Sequence, residues 1–317
     1  MVVRDDSGKL DDAARAGWLY YVAGNTQDEI ARKLGVSRQS AQRLVSTAVS
    51  EKLVKVRLDH PIARCMELSR ALTTRFGLRF AEIVPSDPDA PGLITGVAIA
   101  GAVEMERHLK AKEPKILALG TGRTLRACLE HLPAMSCPHH RIVSRLGNMM
   151  SDGSATPYNV VVRLAERVDA RHYPMPLPVL ARSVEERKIL HSQEPVHNTL
   201  ELCKQADVTF VGVGQIDMDA PLVVDGFMTR QEVAALSAAD VVGEITSWVF
   251  NREGHVVTGG FNDRVASAPL NKNPEELVVG IANGPAKVSA IAAALRGNLI
   301  NALITDESTA EAILIES

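Results

Sequence analysis

The stretch Thr26-Gln27-Asp28-Glu29-Ile30-Ala31-Arg32-Lys33-Leu34-Gly35-Val36-Ser37-Arg38-Gln39-Ser40-Ala41-Gln42-Arg43 reads as two short helices joined by a tight turn. Thr26 is placed to cap the first helix, with acidic residues early and Arg32 and Lys33 late, the order that the helix dipole favours. Gly35 supplies a left-handed turn residue, and Ser37 caps a second helix running from Arg38 towards Glu51. Helices that cross closely need a small residue where they touch and a turn glycine four residues on, and Ala31 and Gly35 fill those places. Ile30, Leu34, Val36, Ala41 and Leu44 are then positioned for the shared core, with Val36 plugging the space between the helices. The other face carries Arg38, Gln39, Ser40, Gln42 and Arg43, side chains that read base edges and hold phosphates in the major groove. Thr26, Gln27 and Ser37, at the two helix starts, complete the expected DNA contacts. A helical oligomerisation module with a solvated basic face is the other reading of the same residues.

Upstream, Ala14, Trp18, Leu19 and Val22 recur at helical spacing between Asp11 and Val22, and Gly24-Asn25 ends the pattern. Downstream, between Ala31 and Leu58, Arg32, Lys33, Arg38, Arg43, Lys52, Lys55 and Arg57 face the single acid Glu51. This local basic stripe coexists with a net charge of -3 for the whole chain. Leu53 to Leu58 alternates apolar and basic residues, the pattern of a short strand or one arm of a wing. Residues 1–58 are therefore expected to form a helix-turn-helix module, and residues 59–317 a second, larger domain.

That larger part carries a helical pattern through Arg75 and then alternates strands and helices. The expected strands are Phe80 to Val84, Lys115 to Leu119, Arg141 to Leu146, Val208 to Val213, Val241 to Ile245, Leu277 to Ala282 and Leu299 to Ile304. The order implies an α/β, Rossmann-like domain with a largely parallel sheet, whose ligands bind at the carboxyl ends of strands. Three loops there stand out. Gly120-Thr121-Gly122-Arg123-Thr124 follows a strand and opens a helix, so its N–H groups and hydroxyls suit a phosphate. It lacks the Lys-Ser/Thr pair of a P-loop and the third glycine of a dinucleotide fingerprint, so no nucleotide cofactor is expected. Gly212-Val213-Gly214-Gln215-Ile216-Asp217 offers groups suited to hydroxyls, and Asn283-Gly284-Pro285-Ala286-Lys287 sets a lysine near a helix start. Taken singly, each loop equally fits a tight strand-to-helix turn that needs its glycine.

A charged fraction of 23%, with 46% hydrophobic and 4% aromatic residues, excludes disorder, and no apolar run approaches the roughly 20 residues of a membrane span. The polar start of the chain is unlike a signal peptide, and a cytoplasmic location is expected. Cys65, Cys128, Cys137 and Cys203 lack zinc spacing even with His139 and His140 nearby, so reduced thiols and no metal are expected.

The helix-turn-helix ending in Gly35-Val36-Ser37-Arg38, the loop Gly120 to Thr124, Gly212-Val213-Gly214, and the block Ala292 to Gly297 with Leu299 to Glu307 together resemble the SorC/DeoR-type sugar-responsive regulators. Their effector domain is similar to glucosamine-6-phosphate deaminase and ribose-5-phosphate isomerase. The resemblance implies a homo-oligomer, dimer or tetramer, that binds operator DNA and changes its grip when a sugar, polyol or sugar phosphate enters, without turnover. It implies that Thr121, Arg123, Thr124 and Lys287 face a phosphate or terminal hydroxyl, and that Gln215, Asp217 and Glu244 read hydroxyls. Gly120, Gly122, Gly214 and Asn283 complete the expected effector site. The chain departs from the family at Thr246-Ser247-Trp248, where a glycine and an arginine are usual, and at Asn283, where a second glycine is usual. Regulators of sorbitol or erythritol use belong to the same family. Two alternatives stay open: a sugar-phosphate isomerase or deaminase with Asp217, Glu244 and Lys287 as acid and base, and a carbohydrate-binding scaffold.

Overall fold

The computed structural model describes residues 4–54, 62–150, 153–156, 158–270 and 275–316. The chain divides into two compact units, residues 1–60 and 61–317. No helix among the described residues is long and apolar enough to cross a membrane.

The first unit holds α1 (Arg4–Tyr21), α2 (Gln27–Leu34) and α3 (Arg38–Ser50). At the start of α2 the Thr26 hydroxyl accepts from the Glu29 N–H while the Glu29 carboxylate accepts from the Thr26 N–H at 2.8 Å, a reciprocal capping box. Gly35 ends α2 at φ 67°, and Ser37 opens α3 by accepting from the Ser40 N–H at 3.1 Å. Ala16, Ile30, Ala31, Ala41 and Val45 are buried together, with Leu19, Leu34 and Leu44 packed against them.

Four expectations are corrected here. Val36 is 37% exposed and does not plug the helix crossing. Trp18 in α1 and Val22 just after it lie outside, 56% and 66% exposed, while Ala13, Ala16 and Gly17 turn inward. The reason is steric: a Cβ on Gly17 would stand 2.6 Å from Val54 Cγ2 and 2.7 Å from Ala48 Cβ, so only the small-residue face of α1 can meet α3. The helix also starts at Arg4, well before Asp11. At the start of the expected strand, Leu53 and Val54 form a bend whose N–H groups return to the Ala48 carbonyl. Lys55 to Leu58 lie outside the described residues.

The second unit begins with α4 (Ala63–Phe76) and contains ten strands among the described residues. Seven of them, β1 (Phe80–Val84), β2 (Ile116–Leu119), β3 (Arg141–Met149), β4 (Arg171–Pro178), β5 (Val208–Val211), β9 (Leu277–Ile281) and β10 (Ala302–Asp306), pair in parallel in the order β1-β10-β9-β5-β2-β3-β4. The remaining three, β6 (Gly214–Gln215), β7 (Val241–Ile245) and β8 (Trp248–Asn251), form a small antiparallel sheet. Strand residues alternate between two cores, as a sheet covered on both faces requires. Leu117, Leu119, Phe210 and Ile304 pack with α5 (Thr95–Leu109), α6 (Arg123–His131) and the helix Val160–Val168. Ala81, Ile83, Val211 and Leu303 pack with α4 and the helices Val288–Arg296 and Glu307–Glu316.

Val241 to Ile245 is thus a strand, but of the small sheet rather than the main one. The strand expected at Leu299 to Ile304 begins only at Ala302, with Leu299 and Ile300 buried in the turn before it. β4 carries three prolines, which hide it from a strand reading and suit its place at a sheet edge. From β2 the chain builds outward through β3 and β4, then returns to lay β5 on the other side of β2. That reversal opens a crevice at the carboxyl ends of β2 and β5.

Candidate functional site

The three glycine-containing loops follow β2, β5 and β9, strands that lie side by side in the sheet, and they open into one cavity of about 390 Å³. Thr121, Gly122, Arg123 and Thr124 line it from the first loop, Gly214 and Gln215 from the second, and Asn283 and Lys287 from the third. Gly122 and Gly284 hold φ values of 124° and 108°, which only glycine adopts readily, and each turns the chain from strand into the following helical segment. Gly120 lies beneath this wall: its N–H donates to the Phe210 carbonyl, and a Cβ there would stand 3.2 Å from the Thr246 methyl.

Glu244 reaches the cavity from the small sheet. It sits directly opposite Gly214 in the β6–β7 pairing, and a Cβ on Gly214 would fall 2.3 Å from the Glu244 Oε1, so this glycine makes the room for the carboxylate. The other oxygen accepts from the Ser247 N–H at 2.8 Å. Burial pushes the Glu244 carboxyl up, opposed by that N–H and by Lys287; burial likewise pushes the Lys287 ammonium down, opposed by Glu244.

Thr246 and Ser247 form the β7–β8 hairpin turn with φ 49° and 71°. Two-residue turns of this kind are usually built from Asn and Gly, and a β-branched residue at positive φ carries backbone strain. Both residues are buried against the cavity. Asn283, 5% exposed, donates its amide N–H groups to the Leu93 carbonyl at 3.1 Å and the Asp306 carboxylate at 2.7 Å. Two acceptors on the amide nitrogen fix its orientation, which leaves Oδ1 as the free end. Among the described residues, Asn283 Oδ1, Gln215 Oε1 and Thr246 Oγ1 are buried without a hydrogen-bond partner, and all three residues line this cavity.

Asp217 is not brought to the site. Its carboxylate accepts from the Asp219 N–H at 2.9 Å, a local turn that carries Asp219 to the cavity in its place. Sequence reasoning also missed Tyr158 and Asp225, which line the cavity and share a hydrogen bond of 3.0 Å. Burial and that bond push the Tyr158 phenol up. No local signal marks Tyr158, which arrives from the loop after β3. Asp219 stands two residues from the aspartate that the sequence pattern favours.

In the first unit, Arg38, Gln39, Gln42 and Arg43 are exposed on α3. Thr26, Ser37 and Ser40 spend their hydroxyls on one another's turns and on caps, and Gln27 is half-buried at the start of α2. Arg38 lies 3.6 Å from Asp28, an exposed ion pair that contributes little to stability. Elsewhere, burial pushes the Cys128 thiol up to about 12 and the Cys203 thiol up to about 11, so both are inert packing groups. His140 is fully buried, accepting from the Lys115 N–H and donating to the Leu109 carbonyl.

The sugar-binding domain family Sugar-bind matches residues 60–315. The chain belongs to the SorC/DeoR-type sugar-binding transcriptional regulators. It is 33% identical over 302 residues to the erythritol catabolism regulatory protein EryD of Brucella abortus, covering 95% of this chain and 96% of that one. It is 30% identical over 309 residues to the transcriptional regulator LsrR of Escherichia coli K12, covering 96% and 94%. Among solved structures, the full-length sorbitol operon regulator SorC from Klebsiella pneumoniae shares the fold with a TM-score of 0.68 and 24% identity, over 97% of this chain and 99% of that one. These relatives are regulators, not enzymes, and the isomerase or deaminase alternative is set aside.

Proposed function

We propose that this protein regulates a carbohydrate or polyol catabolic operon by binding operator DNA, and that a sugar-class metabolite in the cavity of the second unit shifts that binding. In this reading, residues 1–58 contact DNA through α2, the turn and α3, with Arg38, Gln39, Gln42 and Arg43 as the reading side chains. Residues 59–317 bind the effector and hold the oligomer, and the protein works in the cytoplasm. The observation that carries the reading is a cavity at the sheet's switch point whose lining residues Asn283, Gln215 and Thr246 each hold a buried polar atom without a hydrogen-bond partner. An unpaired buried polar group costs about 1–3 kcal/mol, a cost that a hydroxyl-bearing ligand relieves. Regulation requires that the effector bind one of two conformations more tightly than the other.

The test is binding of the full chain to its own upstream DNA across a salt series, with and without candidate sugars and polyols. Steep salt dependence, reduced in Arg38→Ala and Arg43→Ala, is expected. Lys287→Ala and Thr124→Ala should weaken the metabolite response and leave effector-free DNA binding nearly unchanged. A normal response in both variants would remove the cavity from the effector role.

A further inference from the structure

We propose that Asp306 and Thr309, at the start of the last helix (Glu307–Glu316), are positioning residues that carry effector occupancy of the cavity to α4, the helix of the second unit nearest in the chain to the first. The proposal rests on reading the cavity as the effector site.

Two of the segments lining the cavity are bonded to that helix start. Gly92 and Ile94 line it from the loop after β1, and Asn283 and Lys287 from the loop after β9. In the first of these loops the Ser86 hydroxyl accepts from the Ser308 N–H at 2.8 Å. In the second, the Gly284 N–H donates to the Thr309 hydroxyl at 2.9 Å, and the Asn283 amide donates to the Asp306 carboxylate at 2.7 Å. The same amide nitrogen donates to the Leu93 carbonyl at 3.1 Å, which stitches the two loops together. The other Asp306 oxygen accepts from the Thr309 N–H at 2.9 Å and so caps the last helix. Asn283, Asp306 and Thr309 are 5%, 4% and 2% exposed, so breaking the bonds that join them leaves buried groups unpaired. A displacement of the loop that carries Lys287 is therefore passed to the helix start rather than absorbed by solvent.

The same helix is fastened to α4. Its Ala310 and Ile313 are buried in one core with Leu68 and Leu72. Arg64, in the first turn of α4, donates from Nε and Nη2 to the Glu311 carboxylate at 3.0 and 2.7 Å. Near the end of α4 the Arg75 guanidinium donates to the Leu314 carbonyl at 2.7 Å. The last helix is thus held at its start by the cavity loops and along its length by α4. Close-packed helices shift as bodies rather than deform locally, so a movement at the start of one displaces the other. α4 begins at Ala63 and the second unit at Pro61, so its first turn stands where the chain passes into the first unit.

The experiment pairs calorimetric titration of the full-length protein with anisotropy of labelled upstream DNA, using D-ribose, erythritol and D-ribose 5-phosphate as probes. Thr309→Val keeps the shape and removes the acceptor of the Gly284 N–H, whereas Thr309→Ser keeps the hydroxyl. Arg64→Ala cuts the link at the surface of α4 and tests the same route should Thr309→Val fail to fold. In the wild type at least one probe is expected to bind and to change DNA affinity. In Thr309→Val that change should shrink roughly two- to thirty-fold, with probe-free DNA affinity held within about two-fold. Thr309→Ser should restore it. Arg64→Ala should shrink it roughly two- to five-fold, with probe affinity unchanged. A merely structural role would lower the melting temperature and leave the change intact. A full-sized change in Arg64→Ala, and in Thr309→Val where it folds, would overturn the proposal and leave the cavity standing as the effector site. If no probe bound the wild type, or one bound without moving DNA affinity, the effector reading and the proposal would fall together.

Discussion

Replacing Gly17 in α1 by alanine sets two effects of opposite sign against each other. Helix propensity favours alanine over glycine by about 1 kcal/mol in a helix interior. The added Cβ, however, would fall 2.6 Å from Val54 Cγ2 and 2.7 Å from Ala48 Cβ. That is about an ångström inside the ~3.5–4.0 Å of ordinary carbon packing. Ala48 has no rotamer by which to retreat, so relief requires moving α3 bodily. Over-packing of this kind costs about 1–3 kcal/mol, and its upper range outweighs the propensity gain to leave a net loss of about 1–2 kcal/mol. For a unit of this size that lowers the melting temperature by roughly 5–15 °C. Gly8 in the same helix has nothing within 4 Å of its added Cβ, so Gly8→Ala should stabilise, by up to about 1 kcal/mol. The assay is thermal unfolding of the full chain followed by helical circular dichroism, with anisotropy of labelled upstream DNA beside it. Because α3 carries Arg38 to Arg43, its displacement in Gly17→Ala should weaken DNA binding as well. If Gly17→Ala raised the melting temperature as Gly8→Ala does, the close crossing of α1 and α3 would be refuted.

Arg38→Ala and Arg43→Ala should each reduce the salt slope of DNA binding by about one for every phosphate that the wild-type guanidinium neutralises, measured by anisotropy between low and moderate salt; unchanged slopes in both would count against α3 as the reading helix. His140 sits neutral, Nδ1 accepting and Nε2 donating, and burial holds its proton affinity below the ordinary 6.5. Above that pH both folded and unfolded states are neutral; as pH falls below it the unfolded chain gains the proton first, so stability should decline, and His140→Gln should flatten that decline in denaturant titrations at several pH values. Arg145 and Glu276 are a buried pair, 2% and 3% exposed, with Nη1 and Oε1 3.7 Å apart. Arg145→Leu should cost about 3–5 kcal/mol by stranding the carboxylate, and adding Glu276→Leu should recover most of it in urea unfolding.

Where the sequence carries local chemistry, it was legible. Thr26, Glu29, Gly35 and Ser37 are caps and turns whose roles depend on residues three or four positions away, and the loops at Gly122 and Gly284 announce strand-to-helix turns through glycine. Side-chain facing was harder to read. The apolar stripe of Trp18 in α1 and Val22 just after it points outward because the closeness of Ala48 and Val54 decides which face is buried, and no periodicity reports that distance. Glu244 and Thr246 enter the cavity only through a small sheet built from segments far apart in the chain. Tyr158 and Asp225 meet by tertiary packing alone, and the exchange of Asp217 for Asp219 turns on one side-chain bond to the backbone.

The pairing of Phe80 with Ala302 has a consequence for how the protein comes into being. Among the described residues, β1 lies at the edge of the main sheet and has β10 as its one strand neighbour there. A ribosome therefore delivers the three helices of the first unit, whose interactions are local and fast to form, long before β1 can find its mate. Until β10 emerges, β1 remains an open edge exposed to other chains and to chaperones. The nascent polypeptide holds all of its first unit well before the main sheet of the second can close.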